Sequence, residues 1–197
     1  ETLCCVTHIF ARGIDWFKQE LSTRLSVPLT AARPFAFTNN GDHYGWIKGA
    51  DGRWHLTLFI EGGRVLDTAD YPMMTALRAI AHIHDGDFRL TGNQNLIIGR
   101  VSAKNKPKIQ ALVDEYGLAA RLRHSGMRLN GIACVGLNTC ALAMAESERY
   151  LPALIDKFDP ILERAGLRDE AILIRITGCP NGCGRPFLGE IGLVGKG

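Results

Sequence analysis

The spacing of apolar residues changes along the chain, and each change predicts an element. Ile14, Phe17, Leu21 and Leu25 recur at helical spacing, which predicts an amphipathic helix over 13–25, ended by Pro28 and Pro34. From Gly45 the pattern becomes strand-like. Gly45-Trp46-Ile47-Lys48-Gly49 and Trp54-His55-Leu56-Thr57-Leu58-Phe59-Ile60 are joined by Ala50-Asp51-Gly52, a hairpin signal. Glu61-Gly62-Gly63 predicts a turn, and Arg64-Val65-Leu66 a third short strand. Pro72 opens a helix through Met73, Leu77, Ile80 and Ala81, closed by Asp85-Gly86-Asp87. Phe88-Arg89-Leu90-Thr91 and Asn95-Leu96-Ile97-Ile98-Gly99 read as strands, and a helix over 104–116 ends at Gly117. Strands, helix, strands, helix predict an α+β unit of ferredoxin-like type.

A second region begins near 118. A helical stretch is predicted for Ala141–Arg149, after Cys140. Leu151, Leu154, Ile155, Phe158, Ile161 and Leu162 continue an apolar helical stripe. Pro152 suits the first turn of that helix, whereas Pro160 should bend or interrupt it. Ile172-Leu173-Ile174-Arg175-Ile176 reads as a buried strand that delivers the chain to Cys179. The expected organisation is a lead-in over 1–40, atypical over 1–12, then a ferredoxin-like half-domain over 41–117 and a cysteine-bearing α/β domain over 118–197.

Composition narrows the class. The 197 residues suffice for one large domain or two small ones. With 46% hydrophobic and 22% charged residues, the chain is neither disordered, collagen-like nor a coiled coil. A net charge of +3 is too small to imply nucleic acid but suits a modestly anionic ligand. No apolar run reaches the length of a membrane span. Glu1-Thr2-Leu3-Cys4-Cys5 lacks the pattern of a signal peptide. Neither nucleic acid nor membrane is therefore expected as a partner, and the expected location is cytoplasmic.

The six cysteines carry the chemistry. They are too sparse for a disulfide framework. Cys4 and Cys5 are adjacent, whereas Cys134 and Cys140 form C-x5-C and Cys179 and Cys183 form C-x3-C. Two close pairs brought together by a fold suggest a four-thiolate metal site. Zinc sites favour tighter pairs, while iron–sulfur cubanes accept more varied spacings. Around the second pair the chain reads Thr177-Gly178-Cys179-Pro180-Asn181-Gly182-Cys183-Gly184-Arg185-Pro186. Its glycines permit close backbone approach, its prolines fix the turn, and its N–H groups can aim at sulfur. The bland alternative is a turn with two buried free cysteines.

Other candidates carry less. His82 and His84 are two apart beside Asp85 and Asp87, a spacing that suits solvated positions at a helix end better than metal ligands. Trp46 and Trp54 suit the core or sheet. Asn93-Gln94-Asn95 is either a turn or a set of amides aimed at a ligand edge, and spacing does not choose. No G-x-G-x-x-G or P-loop pattern is present, so the chain itself shows no NADPH, flavin or nucleotide site.

These residues resemble the siroheme-dependent sulfite and nitrite reductases, from about Gly13 to Gly197. The cysteine motifs carry the resemblance to the family. Gly86-Asp87-Phe88-Arg89, Asn93-Gln94-Asn95-Leu96-Ile97-Ile98 and the strands around Trp46 and Trp54 place it nearest the sulfite branch, the hemoprotein component of assimilatory NADPH-sulfite reductase. The resemblance implies that Cys134, Cys140, Cys179 and Cys183 hold a [4Fe-4S] cluster. It implies that Cys183 also bridges to the siroheme iron, the catalytic position, and that Asn181 contacts siroheme or orients the loop. The implied reaction is six-electron reduction of sulfite to sulfide. The implied electron donor is an NADPH-dependent flavoprotein, with ferredoxin the other possibility.

The chain also departs from the family. Members are more than twice as long, so it reads as an internal to C-terminal fragment, truncated within the cofactor domain and inactive alone. Residues 1–12 do not look like the family, and Cys4 and Cys5 receive no role. Alternatives are a siroheme nitrite reductase, a structural four-cysteine zinc module and a simple iron–sulfur electron carrier.

Overall fold

The computed structural model describes residues 5–36 and 38–196, with side chains from residue 9. Two compact units result, Glu1–Asn40 and Gly41–Gly197.

The first unit holds α1 (Cys5–Arg12) and α2 (Ile14–Leu25). Gly13 joins them at φ 83, its N–H donating to the Ile9 carbonyl at 2.8 Å. A side chain would strain that left-handed backbone. The helix expected over 13–25 is present as α2, although none of its residues is buried. No element had been expected at α1. The Arg12 guanidinium lies 4.7 Å from the Trp16 ring centre, a cation–π contact. Cys4 and the side chain of Cys5 lie outside the described residues.

The second unit begins with a four-stranded antiparallel sheet in the order β1-β2-β6-β5, from β1 (Gly45–Lys48), β2 (Trp54–Leu58), β5 (Asp87–Leu90) and β6 (Leu96–Val101). Between β2 and β5 run the short β3 (Asp67–Thr68), β4 (Tyr71–Pro72) and the helix α3 (Met73–Ile83). After β6 comes α4 (Lys106–Glu115), ended by Tyr116 and a left-handed Gly117. The inward residues of the strands, Leu56, Leu58, Leu96 and Ile98, meet Met73, Ala76, Ile80, Ile109 and Val113 of the helices in one core. Period-2 and period-3.6 apolar faces thus close on each other. Trp46 and Trp54 pack at its border, where Lys106 Nζ lies 3.4 Å from the Trp54 ring centre.

The strand expected at Arg64-Val65-Leu66 does not form. Arg64 instead reaches Glu148, and Leu66 is exposed with no strand beside it. The pairing falls next door, on β3 and β4. Asp67 then caps α3 from a distance, accepting from Thr75 N–H at 3.0 Å and from its hydroxyl at 2.7 Å. The Thr75 amide and hydroxyl hold the Asp67 carboxyl below its ordinary value.

The rest of the unit is α5 (Gly126–Asn130), β7 (Ile132–Ala133), α6 (Leu151–Arg164), β8 (Ile174–Thr177) and β9 (Ile191–Val194). The three strands pair in parallel in the order β7-β8-β9. Leu151, Ile155 and Leu162 of α6 cover Ala133, Ile174 and Ile176 in a second core. α6 runs through Pro160 without interruption, and that position is exposed. Water can therefore serve the carbonyl that lost its partner. No helix forms over 141–149. Its amides are spent elsewhere, since Met144 N–H and Ala145 N–H both donate to the Gly178 carbonyl, at 2.7 and 3.1 Å. β9 falls in a stretch where no strand had been expected.

Polar groups join the two cores. Asn95 is buried and accepts from Ile60 N–H at 2.9 Å through Oδ1. Its Nδ2 donates to Asp42 at 2.8 Å and to the Tyr44 hydroxyl at 3.0 Å. Tyr44 donates in turn to the Leu129 carbonyl at 2.6 Å. Burial first, and Asp42 second, push the Tyr44 phenol above its ordinary value. Asn95→Leu should strand Ile60 N–H and one Asp42 contact, and cost about 1–3 kcal/mol. A shift of the urea midpoint corresponding to less than about 0.5 kcal/mol would count against that role.

Candidate cofactor site at the cysteine loops

Parallel strands end on the same edge of a sheet, and loops beyond their C-terminal ends share one crevice. Cys134 directly follows β7, and Gly178-Cys179 directly follows β8. The fold thus brings both cysteine loops together. Cys134 N–H donates to the Ile176 carbonyl at 3.1 Å, and Gly178 N–H donates to Cys134 Sγ at 3.1 Å. Thr177 Oγ1, fully buried, lies 3.6 Å from the same sulfur.

Each loop is built from local bonds. Cys140 N–H donates to the Gly136 carbonyl at 2.9 Å, and Ala143 N–H to the Cys140 carbonyl at 3.1 Å. In the second loop Gly182 lies at φ 72, and Arg185 N–H donates to its carbonyl at 2.8 Å. Gly184 has no room for a side chain, because a Cβ there would stand 2.1 Å from the Ile176 carbonyl oxygen and 3.3 Å from Cys134 N. The backbone of the second loop is thus pressed against the start of the first.

All four paired cysteines are free thiols. Cys179 is buried, Cys134 and Cys140 are half-buried, and Cys183 is exposed. Asn181 is exposed between Cys179 and Cys183. Burial raises the Cys134 thiol. Donation from Gly178 N–H, from the Ser147 and Thr177 hydroxyls and from Gly136 N–H outweighs it and holds the thiol below its ordinary value. Among the described residues no three His, Cys, Asp or Glu side chains gather closely enough for a single metal ion. A cleft of about 300 Å³ opens alongside, lined by Ala145, Thr177, Val194 and Gly195 among others.

The surroundings carry positive charge. Arg175 on β8 is buried, with Nε and Nη1 lacking a hydrogen-bond partner. Burial, then Arg185, draws its guanidinium below the ordinary value. Such an edge favours an anionic group. Gly178 N–H and Thr177 Oγ1, aimed at Cys134 Sγ, are donors of the kind that the sulfurs of an iron–sulfur cluster take, so the Cys134 end of the site suits such a group.

Residues outside the predicted set also shape the site. Thr177 and Ser147 support Cys134, and Gln94 holds the peptide before it. Thr177 carried a sequence signal as the residue opening the Cys179 motif, and Gln94 as part of the Asn93-Gln94-Asn95 cluster, whereas Ser147 carried none. His82 is exposed at the end of α3. His84 is half-buried there, with Nε2 3.2 Å from the Asp87 carbonyl and its ring edge-on to Phe88.

Comparison with known proteins defines the class. Residues 47–116 match the family described as the nitrite/sulfite reductase ferredoxin-like half domain. The matched segment has the α+β fold expected of that half domain. Over 94% of its length it is 60% identical to the sulfite reductase (NADPH) hemoprotein beta-component of Shouchella clausii. The same component of Bacillus velezensis is 58% identical over 93% of the chain, and that of Nitrobacter hamburgensis 56% over 94%. The chain spans about a third, 32%, of each of these relatives. The solved structure of Mycobacterium tuberculosis NirA superposes on 90% of the chain and 32% of its own, with a TM-score of 0.67 and 28% identity.

The contact between the loops is open to a direct test. Gly184→Ala should force the second loop off the Ile176 carbonyl and destabilise the chain by about 1–3 kcal/mol. Gly92→Ala, with open space around its Cα, is the control and should stay within about 0.5 kcal/mol. Equal urea midpoints for the two variants would contradict the close approach.

Proposed function

We propose that Cys134, Cys140, Cys179 and Cys183 hold a [4Fe-4S] cluster, and that Cys183 also ligates the iron of a siroheme. The observation that carries this is the meeting of both cysteine loops at the ends of β7 and β8, with main-chain N–H aimed at thiol sulfur. The whole protein is then a sulfite reductase hemoprotein that reduces sulfite to sulfide with six electrons, supplied by an NADPH-dependent flavoprotein in the cytoplasm. The names of the relatives support sulfite as substrate and NADPH as the electron source. Among the described residues no helix is long and apolar enough to cross a membrane.

Held by these cysteines, the cluster and siroheme would supply one-electron transfer and an electron-rich iron. The chain's own residues do the holding. Cys179, buried, anchors the second loop, while exposed Cys183 leaves its sulfur accessible to a second group. Gly178 N–H and Thr177 Oγ1 stabilise negative charge on Cys134 Sγ. Asn181, between the two thiols of its loop, contacts siroheme or orients that loop. Arg175 and Arg185 bias the region toward anions.

The test is the visible spectrum, iron, sulfide and siroheme content of the full-length protein, followed by Cys183→Ser. Wild type should show both cofactors. The variant should retain iron but lose at least about 100-fold in sulfite turnover. A zinc-loaded protein without visible bands would overturn the reading, and near-normal turnover by Cys183→Ser would remove the bridge from Cys183. The 197-residue chain alone, reconstituted with both cofactors, should turn over sulfite far more slowly than the whole hemoprotein.

A further inference from the structure

The turn between β5 and β6 reaches both cysteine loops. Gln94 stands in it at φ 66, and its side-chain amide pairs with the main chain of Ala133 as a neighbouring strand would. Nε2 donates to the Ala133 carbonyl at 2.7 Å, and Oε1 accepts from Ala133 N–H at 3.3 Å. Ala133 is the last residue of β7, directly before Cys134. β7 is two residues long and has a strand on one side only, β8. Gln94 serves the Ala133 main chain from outside that pair. Two residues before Gln94, the Gly92 carbonyl accepts from Arg185 Nη2, and Arg185 lies two residues after Cys183.

The turn that presents these groups is itself fixed. Thr91 N–H donates to the Asn95 carbonyl at 2.9 Å, and Gln94 N–H to the Thr91 carbonyl at 3.3 Å. The Thr91 hydroxyl and the Asn95 amide both donate to Asp42, at 2.6 and 2.8 Å. Gly63 leaves Gln94 its place, since a Cβ on Gly63 would lie 3.2 Å from Gln94 Cβ. A side chain held this way transmits position. Ala133 is buried, so water is a poor substitute for the amide pair.

We propose that Gln94 is a positioning residue for the cofactor site, fixing the peptide that carries Cys134 while the same turn anchors the Cys183 loop through Gly92 and Arg185. This rests on the reading of the four cysteines as cluster ligands. Outer groups that orient a metal ligand alter the properties of the metal, not only the stability of the fold.

The experiment uses the full-length hemoprotein. Gln94→Glu keeps shape and acceptor but, ionised, loses the donor to the Ala133 carbonyl. Gln94→Leu keeps approximate volume and loses both bonds. Iron and sulfide content, the cluster's midpoint potential, its electron paramagnetic resonance spectrum and the melting temperature are measured for each. In a folded variant the reduced-to-oxidised ratio of the cluster at fixed potential should change about tenfold, about 59 mV for one electron, with an altered spectrum. Wild-type potential and spectrum in either folded variant, even with a lowered melting temperature, would overturn the proposal. Failure of both variants to accumulate folded protein would assign Gln94 to stability alone and overturn it equally. A wild-type protein without a cluster would overturn the parent reading, and this inference with it, before any variant is made.

Discussion

The carbonyl of Ile176 accepts from Cys134 N–H at 3.1 Å and from the Ser147 hydroxyl at 2.9 Å, so both of its lone pairs are engaged at full burial. One of these bonds ties the start of the first cysteine loop to β8. The other ties the segment that returns from Cys140 to the same point. Gly184 crosses directly over that oxygen, so the second loop closes on it as well. A two-residue strand has little pairing energy of its own. β7 is held in register because its continuation, its return and its neighbour converge on one acceptor. Glu148 N–H completes the arrangement by donating to the Cys134 carbonyl at 3.0 Å.

Glu148 also belongs to the junction between the two cores. Its carboxylate receives the Arg64 guanidinium through two nitrogens, one at 2.9 Å. Arg128, its side chain largely buried, pairs with Glu61 at 2.6 Å and with Asp156. Glu61 sits on the turn after β2, and Asp156 on α6, so one guanidinium spans both layers. Arg128 is the buried member and its carboxylate partners reach solvent, so the acids mainly offset the cost of burying one guanidinium. The polar junction therefore fixes relative position more than it adds stability. An apolar interface of equal area would tolerate sliding, whereas directional bonds at Arg128, Arg64, Asn95 and Gln94 do not.

Much of the fold was legible where one period of apolar residues ran uninterrupted. Leu56 and Leu58 alternate toward the core, and α2, α3, α4 and α6 follow their helical spacing. The cysteine motif was legible because glycine, proline and cysteine at fixed offsets have few uses. Failures arose where a distant group outbid local preference. Ala141–Arg149 has helix-forming residues, yet Met144 and Ala145 N–H groups go to Gly178, which no local pattern reveals. Arg64-Val65-Leu66 looks like a strand, but a strand needs a partner, and Arg64 is drawn to Glu148 instead. The Asn93-Gln94-Asn95 cluster divided two readings, turn or ligand-facing amides. It is a turn, and the edge that Gln94 faces is the main chain of Ala133, thirty-nine residues away in sequence. Pairings at that range are tertiary facts, invisible to spacing.

The two layers are consequently stabilised by different means. The ferredoxin-like layer has a closed apolar core in which Leu58, Ala76, Ile80 and Ile98 are wholly buried. Its tolerance to substitution is set by volume. In the cysteine layer α6 covers one side of β8 with apolar residues. At the end of the strand, cohesion comes from main-chain bonds and from the bare Cα atoms of Gly178 and Gly184. A Cβ on Gly178 would stand 2.7 Å from the Ala145 carbonyl oxygen. Backbones that approach this closely leave their N–H groups facing inward, onto carbonyls and onto sulfur. The same compactness that joins the loops therefore supplies the donors that hold the Cys134 thiol's pKa below its ordinary value. Loop closure and sulfur chemistry follow from one constraint, the absence of side chains where the two strands end.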